Sequence, residues 1–183
     1  AALIFSNRFN TRPGFFSYST PAIATVYGEK LAFVTAGDNL SAIRGNGEVK
    51  WNYKATPFNY FAYNTPAVGD IDYDGTMEVV VIDTAGNVSA LNASTGEVKW
   101  SVFSSSWYAY YSAMVIADVD NDGLKEVLFS NDRYGQVVAL NGRNGSVKWV
   151  AGGRCDLGDF TPGTLCNNIG YIETTVAVAD IDH

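Results

Sequence analysis

The segment AVGDIDYDGTMEVVVI (67–82) places Asp70, Asp72, Asp74 and Glu78 within nine positions. Four carboxylates so close repel one another unless a positive charge sits among them. A second segment, DVDNDGLKE (118–126), repeats the arrangement with Asp118, Asp120, Asp122 and Glu126. The shared pattern, D-x-D-x-D-G-x-x-E, suits a hard cation, because Ca²⁺ takes about six to eight oxygen ligands and a tight loop with carboxylates at alternate positions can wrap one ion. Mg²⁺ fits less well, since it demands octahedral geometry and keeps its waters. Gly75 and Gly123 allow the sharp turn, and the carbonyls of Thr76 and Leu124, at the seventh position, are the natural backbone ligands. The pattern is EF-hand-like in its first half, but its acid comes at position nine and β-type runs flank it. It therefore reads as a β-hairpin calcium loop. Asp180 and Asp182 open a third loop that the chain does not complete. In IATVYGEKLAFV (23–34), Thr25 and Tyr27 stand where aspartates would be, so no calcium is expected there by this motif.

The loops belong to a repeat. TPAVGDIDYDGTMEVVVIDTAGNVSALNASTGEVKW (65–100) is echoed by residues 113–149 and, more faintly, by residues 20–51, and Trp51, Trp100 and Trp149 recur 49 residues apart. Each copy holds four short β-type runs separated by turn signals; in the second copy they are TPAVGDI, EVVVI, VSALN and EVKWSVF. Four antiparallel strands in a repeat of this length predict the blades of a β-propeller, whose small sheets bury their faces against their neighbours. The fold class is all-β. The tryptophans are expected to wedge between blades. The expected divisions are an outer strand and connection (1–18), a blade without a calcium loop (19–63), a blade with one (64–111), a blade with one and a Cys-containing insertion (112–173), and the start of a further blade (174–183). LIFSNRF (3–9) aligns with an outer strand and the chain stops within a first turn, so a segment of a larger propeller is expected.

Composition narrows the function. Hydrophobic residues make up 47% of the 183 residues, ample for a core, while charged residues make up only 17% and the net charge is −7. Ten of the 19 acidic residues lie in the three acidic loops, which accounts for the charge without a basic partner. The 12 Lys and Arg are scattered singly, which excludes a nucleic-acid face as the main feature. No run approaches the length of a membrane span, and no secretory leader opens the chain. Cys155 and Cys166 lie in a Gly-rich stretch without CxxC or a nearby His; a loop-closing disulfide is preferred over two free thiols, and with it an oxidising, extracytoplasmic setting. Asn-x-Ser sequons at Asn39, Asn87, Asn92 and Asn144 read either as glycosylation acceptors or as turn asparagines.

DIDYDGTMEVVV and DVDNDGLKEVLF resemble the FG-GAP/VCBS repeats of integrin-α-like propellers, and ALNASTGEVKW (90–100) and ALNGRNGSVKW (139–149) resemble the PQQ-type propeller repeat. The resemblance covers the chain from about residue 19 onward. It implies a structural role for Asp70, Asp72, Asp74, Thr76, Glu78, Asp118, Asp120, Asp122, Leu124 and Glu126, with calcium bracing one face and the opposite face left to ligands. The adjacent cysteines of PQQ-dehydrogenase pockets have no counterpart here. Calcium-loaded propellers also occur among pectin-degrading lyases, so a fragment of a secreted polysaccharide lyase is the alternative function. Such chemistry needs a base beside a metal-clamped uronate, and the only histidine is His183.

The blade-to-blade connections are rich in aromatics: GFFSYS (14–19), PFNYFAYN (57–64) and SSSWYAYYS (104–112). Equivalent positions in a propeller share a face, here the one opposite the acidic loops. Tyr60, Tyr63, Trp107, Tyr108, Tyr110 and Tyr111 are the candidates for a ligand face, with packing between blades as the competing role. The reading as a whole is a non-catalytic, calcium-stabilised propeller module of an extracellular or cell-surface protein. Its partners would be a protein, a glycan, or further copies or segments of the same assembly.

Overall fold

The computed structural model describes residues 19–55, 57, 59–61, 63–103, 112–131, 135–152 and 176–178. Among the described residues, twelve strands form three four-stranded antiparallel sheets in simple up-and-down order. The first holds β1 (Ala22–Val26), β2 (Glu29–Ala36), β3 (Asn39–Arg44) and β4 (Val49–Lys54). The second holds β5 (Ala67–Gly69), β6 (Glu78–Ile82), β7 (Asn87–Asn92) and β8 (Val98–Phe103), and the third β9 (Val115–Ala117), β10 (Glu126–Asn131), β11 (Gln136–Asn141) and β12 (Val147–Gly152). These are propeller blades, as the repeat predicts. The partial blades expected at 1–18 and 174–183, and the insertion carrying Cys155 and Cys166, fall outside the described residues apart from 176–178.

The continuous apolar run of β6, EVVVI, is buried throughout because the sheet has a neighbour on both sides. Val79 and Val81 point into a core shared with Leu31, Phe33 and Leu40 of the first blade. Val80 and Ile82 point the other way, into a core with Val127, Phe129 and Leu140 of the third. Strand alternation thus feeds two cores from one strand. Burying side chains on both faces at about 25 cal/mol per Å² is what holds blades that could not stand alone.

Tryptophans lock this stacking. Trp51 donates its Nε1–H to the carbonyl of Ala93 in the second blade at 3.1 Å, and Trp100 donates to the carbonyl of Gly142 in the third at 2.8 Å. Each indole lies on the glycine turn between the last two strands of the following blade. A Cβ at Gly96 would come within 2.7 Å of Trp51, and one at Gly145 within 2.6 Å of Trp100. Trp100→Phe removes the N–H donor and the second ring of the indole, leaving a buried carbonyl short of a partner and a gap beside Gly145. It is expected to cost about 2 kcal/mol, from the lost bond and the lost packing together, read as a shift in the denaturant midpoint with an unchanged slope.

The opposite end is tied by a buried asparagine. Asn64 accepts from Thr35 Oγ1 through its carbonyl (2.8 Å), donates Nδ2–H to Ile82 O (2.9 Å), and accepts from the Ser112 backbone N–H at Oδ1 (3.1 Å). One side chain and its own carbonyl therefore link three successive blades. The connection around it meets the turns between second and third strands: Phe61 N–H donates to Gly37 O and Thr84 N–H to Tyr60 O. The connections and these turns share one end of the sheets, and the acidic loops lie at the other.

Candidate metal centre

Each acidic loop joins the first two strands of its blade. Tyr73 and Gly75 have φ of 59° and 82°, and Asn121 and Gly123 match them at 58° and 83°. Left-handed residues at alternate positions coil the chain, and backbone N–H groups fix the carboxylates between them. In the second blade Gly75 N–H donates to Asp70 Oδ2 (3.2 Å), Thr76 N–H to Asp74 Oδ1 (2.7 Å) and Ile71 N–H to Glu78 Oε2 (3.1 Å). In the third, Gly123 N–H donates to Asp118 Oδ2 (2.9 Å), Leu124 N–H to Asp122 Oδ1 (2.7 Å) and Val119 N–H to Glu126 Oε2 (3.0 Å). Two segments of different sequence have thus built the same cage.

Glu78 and Glu126 are wholly buried, at 0% exposure. A carboxylate there needs a cation, because an unpaired buried charge is costly. In this structure the cation is a lysine. Lys99 Nζ lies 2.7 Å from Asp72 Oδ2, 2.6 Å from Asp74 Oδ2 and 2.9 Å from Glu78 Oε1. Lys148 Nζ lies 2.7 Å from Asp120, 3.0 Å from Asp122 and 2.7 Å from Glu126. The hydrogen bond from Lys99, with help from Thr76, lowers Asp74 to about 2. That from Lys148, then the Leu124 N–H, holds Asp122 below the usual range. Burial opposes the charge on Lys99, but its bonds to Asp72, Asp74 and Glu78 outweigh this and raise its pKa. Lys148 is raised by Asp120 and Glu126 against the same opposition.

The ammonium leaves the cage incomplete. Asp70 Oδ1 and Asp118 Oδ1 are buried without a hydrogen-bond partner, and they are the only such side-chain atoms among the described residues. They hold the first position of each loop. Four carboxylates face one ammonium, so each loop keeps a net negative charge. Ligand-capable oxygens of Asp70, Asp72 and Glu78 lie within 4.8 Å of one another, as do those of Asp118, Asp120 and Asp122. The two acidic clusters could each bind a metal ion, and the paired orphaned oxygens fit one.

The first blade is built differently. Val26 pairs with Glu29 across a two-residue turn in which Tyr27 and Gly28 both have positive φ, 48° and 79°, the geometry of a type I′ hairpin. Leu31, fully buried, takes the place that Glu78 and Glu126 hold in the other two blades. Register shows the equivalence: Leu31 faces Arg44, Glu78 faces Asn92 and Glu126 faces Asn141.

The structure thus brings Asp70, Asp72, Asp74, Thr76 and Glu78 into one cluster and Asp118, Asp120, Asp122, Leu124 and Glu126 into another. Asp180 and Asp182 lie outside the described residues. Sequence reasoning overlooked Lys99 and Lys148. Their signal was present, since a lysine precedes each recurring tryptophan at positions 50, 99 and 148.

Residues 19–152 match the family model PQQ_2, outer membrane protein assembly factor BamB. The chain belongs to this family. Its PQQ-type tryptophan repeats are the docked Trp51 and Trp100. Among curated proteins it is 29% identical over 110 residues to uncharacterized protein RP232 of Rickettsia prowazekii (strain Madrid E), a match covering 58% of this chain and 24% of that protein. Among solved structures it is similar to the quinohemoprotein alcohol dehydrogenase from Comamonas testosteroni, at 19% identity and a TM-score of 0.51, over 74% of this chain and 21% of that one. The V. cholerae biofilm matrix protein Bap1 matches at 19% identity and a TM-score of 0.51, over 75% and 21%. These two structures share the propeller fold. The chain spans about a quarter or less of each of these relatives.

On the opposite end, Phe61 is buried at 2% exposure and packs against Tyr53 at 6.1 Å between ring centres, which is packing between family blades. Tyr60 and Tyr63 are half-buried. Trp107, Tyr108, Tyr110 and Tyr111 lie outside the described residues. Two sequon asparagines act in turns: Asn87 Nδ2 donates to Asp83, and Asn92 Oδ1 accepts from the Ser94 and Thr95 N–H groups. No helix among the described residues is long and apolar enough to cross a membrane.

Proposed function

We propose that this chain is a calcium-stabilised propeller module without catalysis of its own, serving binding, adhesion or assembly in an extracellular or cell-surface protein. One Ca²⁺ would sit in each complete acidic loop, in the manner of FG-GAP/VCBS repeats grafted onto a PQQ-type blade. The observation that carries this reading is the matched pair of orphaned oxygens, Asp70 Oδ1 and Asp118 Oδ1. Oxygens at the same first position, in loops of different sequence, lack a partner in the same way. Asp70, Asp72, Asp74 and Glu78 would hold one ion and Asp118, Asp120, Asp122 and Glu126 the other, with carbonyls of Thr76 and Leu124 completing the set. The ion supplies charge neutralisation and cross-links a turn to a strand. The chain's own residues preform the loop through the N–H bonds described above. The name of the family, an outer membrane assembly factor, supports a scaffolding role outside the cytoplasm, with a protein, a glycan or further copies of the assembly as partner.

Binding to the folded state alone stabilises it by mass action, about 2.7 kcal/mol at a hundredfold excess over Kd. Excess EDTA is expected to lower the melting temperature, and elemental analysis to find two calcium ions per chain. Asp72→Ala and Asp120→Ala should each remove one. An unchanged melting temperature in EDTA with no metal bound refutes the reading.

A further inference from the structure

The lysine before each tryptophan is the extra residue of a β-bulge. Ala90 pairs with Trp100 and Leu91 with Val98, which leaves Lys99 without a partner across the ladder. Lys148 is skipped in the same way between Trp149 and Val147, and Lys50 between Trp51 and Val49. A bulge takes its residue out of strict alternation and re-aims the side chain. All three ammonium groups are aimed back across the third strand at carboxylates near the hairpin of the first two. In the first blade, which has no acidic loop, Lys50 still finds Glu29. The backbone therefore aims the lysine whether or not an aspartate loop is there to receive it.

We propose that Lys99 and Lys148 are tethered counter-ions that compete with the metal for the same oxygens, each closing its loop in the metal-free protein and swinging out when the ion enters. This rests on the calcium reading above. Asp72 Oδ2, Asp74 Oδ2 and Glu78 Oε1 all receive the Lys99 ammonium, and a divalent ion drawing on the same oxygens would meet a like charge at contact distance. The two cations exclude each other. An exit exists, because the side chains of Lys99 and Lys148 are 25% and 22% exposed on the outer strands, and a long alkyl stem can move its head into water while staying packed. Exchange replaces one positive charge by two and brings in the orphaned oxygen that the lysine does not reach. The lysine keeps Glu78 or Glu126 paired while calcium is absent, and it reduces the apparent affinity to the intrinsic value multiplied by the fraction of loops it leaves open. The site is thereby tuned to surroundings rich in calcium.

The test uses the whole chain with K99M, K148M and the control K54M. Lys54 is 73% exposed in the first blade, which has no acidic loop, and it pairs with Asn39 beside the turn from β2 to β3, with only a 3.7 Å approach to Asp38, so its loss changes net charge equally without touching a site. Ca²⁺ titration calorimetry on chelator-treated protein should show K99M tightening one of two sites by about tenfold, K148M the other, and K54M changing neither by more than about twofold. In EDTA, K99M and K148M should melt a few degrees below wild type, and saturating Ca²⁺ should erase the deficit. K99Q, which keeps a donor but no charge, serves if K99M does not fold without metal. If wild type binds two ions and K99M leaves both affinities unchanged, the exchange is refuted and the calcium reading stands. If wild type binds none while K99M binds one, the lysine has won outright, which supports the exchange and refutes a resident ion. If neither wild type nor the lysine variants bind Ca²⁺, both fail.

Discussion

Gly145→Ala is expected to be among the most destabilising single-methyl additions in this protein. Gly145 has φ of 71°, and an added Cβ would lie 2.6 Å from Trp100 Cε3 and 2.9 Å from Val102 Cγ1. Two separate costs meet there. Left-handed backbone costs an L-residue about 1 to 2 kcal/mol, and the overlap forces the indole off its seat, at about 1 to 3 kcal/mol. If Trp100 tilts away, its bond to Gly142 O weakens as well. Other glycines separate the contributions. Gly28 has φ of 79° with nothing near its virtual Cβ, and Gly45 has open space and no positive φ. The expected order of loss in equilibrium denaturation is Gly145 and Gly96 together, then Gly28, then Gly45 near zero. Equal losses at Gly28 and Gly145 would mean that the ring moves aside freely and locks nothing.

Glu78→Ala in calcium-free buffer should cost about 3 kcal/mol, within the range for emptying a buried side-chain site and leaving a buried backbone N–H unpaired. The carboxylate is fully buried and takes three donors: Ile71 N–H, Thr76 Oγ–H and the Lys99 ammonium. Removing it leaves Ile71 N–H without its acceptor and opens a void beside β5, while Lys99 keeps Asp72 and Asp74 and Thr76 keeps Asp74. Glu126→Ala should behave alike, having lost Val119 N–H and Lys148. Glu78→Leu is the informative companion, because the first blade places Leu31 at this point of the register. Leucine refills the space but leaves Ile71 N–H unpaired, so its loss should be intermediate. A Leu variant as unstable as the Ala variant would show that the void contributes nothing and the charge everything.

The acidic loops and blades were legible because their signals are local or periodic. Asp70, Asp72 and Asp74 announce themselves by spacing, β6 by its apolar run, and the repeat by Trp51, Trp100 and Trp149. Lys99 escaped because its role depends on pairing: only the register of Leu91 with Val98 reveals the bulge that turns it toward Asp72 across 27 positions of chain. Asn64 was equally silent, since a lone asparagine before Thr-Pro reads as a turn residue until Thr35, Ile82 and Ser112 are seen around it. Phe61 stood among aromatic neighbours in sequence that looked alike, and burial by Tyr53 separates it from the half-buried Tyr60 and Tyr63. Composition cannot make that distinction, because each ring faces a different neighbour.

The tryptophan contact also gives the stack a polarity. Every described joint runs the same way along the chain: a plug, the indole, goes forward into a socket, the glycine turn of the next blade. Such head-to-tail joints do not saturate as two-fold contacts do; they add units until the rotation between them closes a ring. Gly47, with φ of 89°, stands in the first blade at the position that Gly96 and Gly145 hold in the next two, and Trp149 stands in the third at the position of Trp51 and Trp100. The indole is therefore one of the contacts that fix how each sheet is rotated on the one before it. A change that lifts one ring would loosen one joint and leave the direction of the others unaltered.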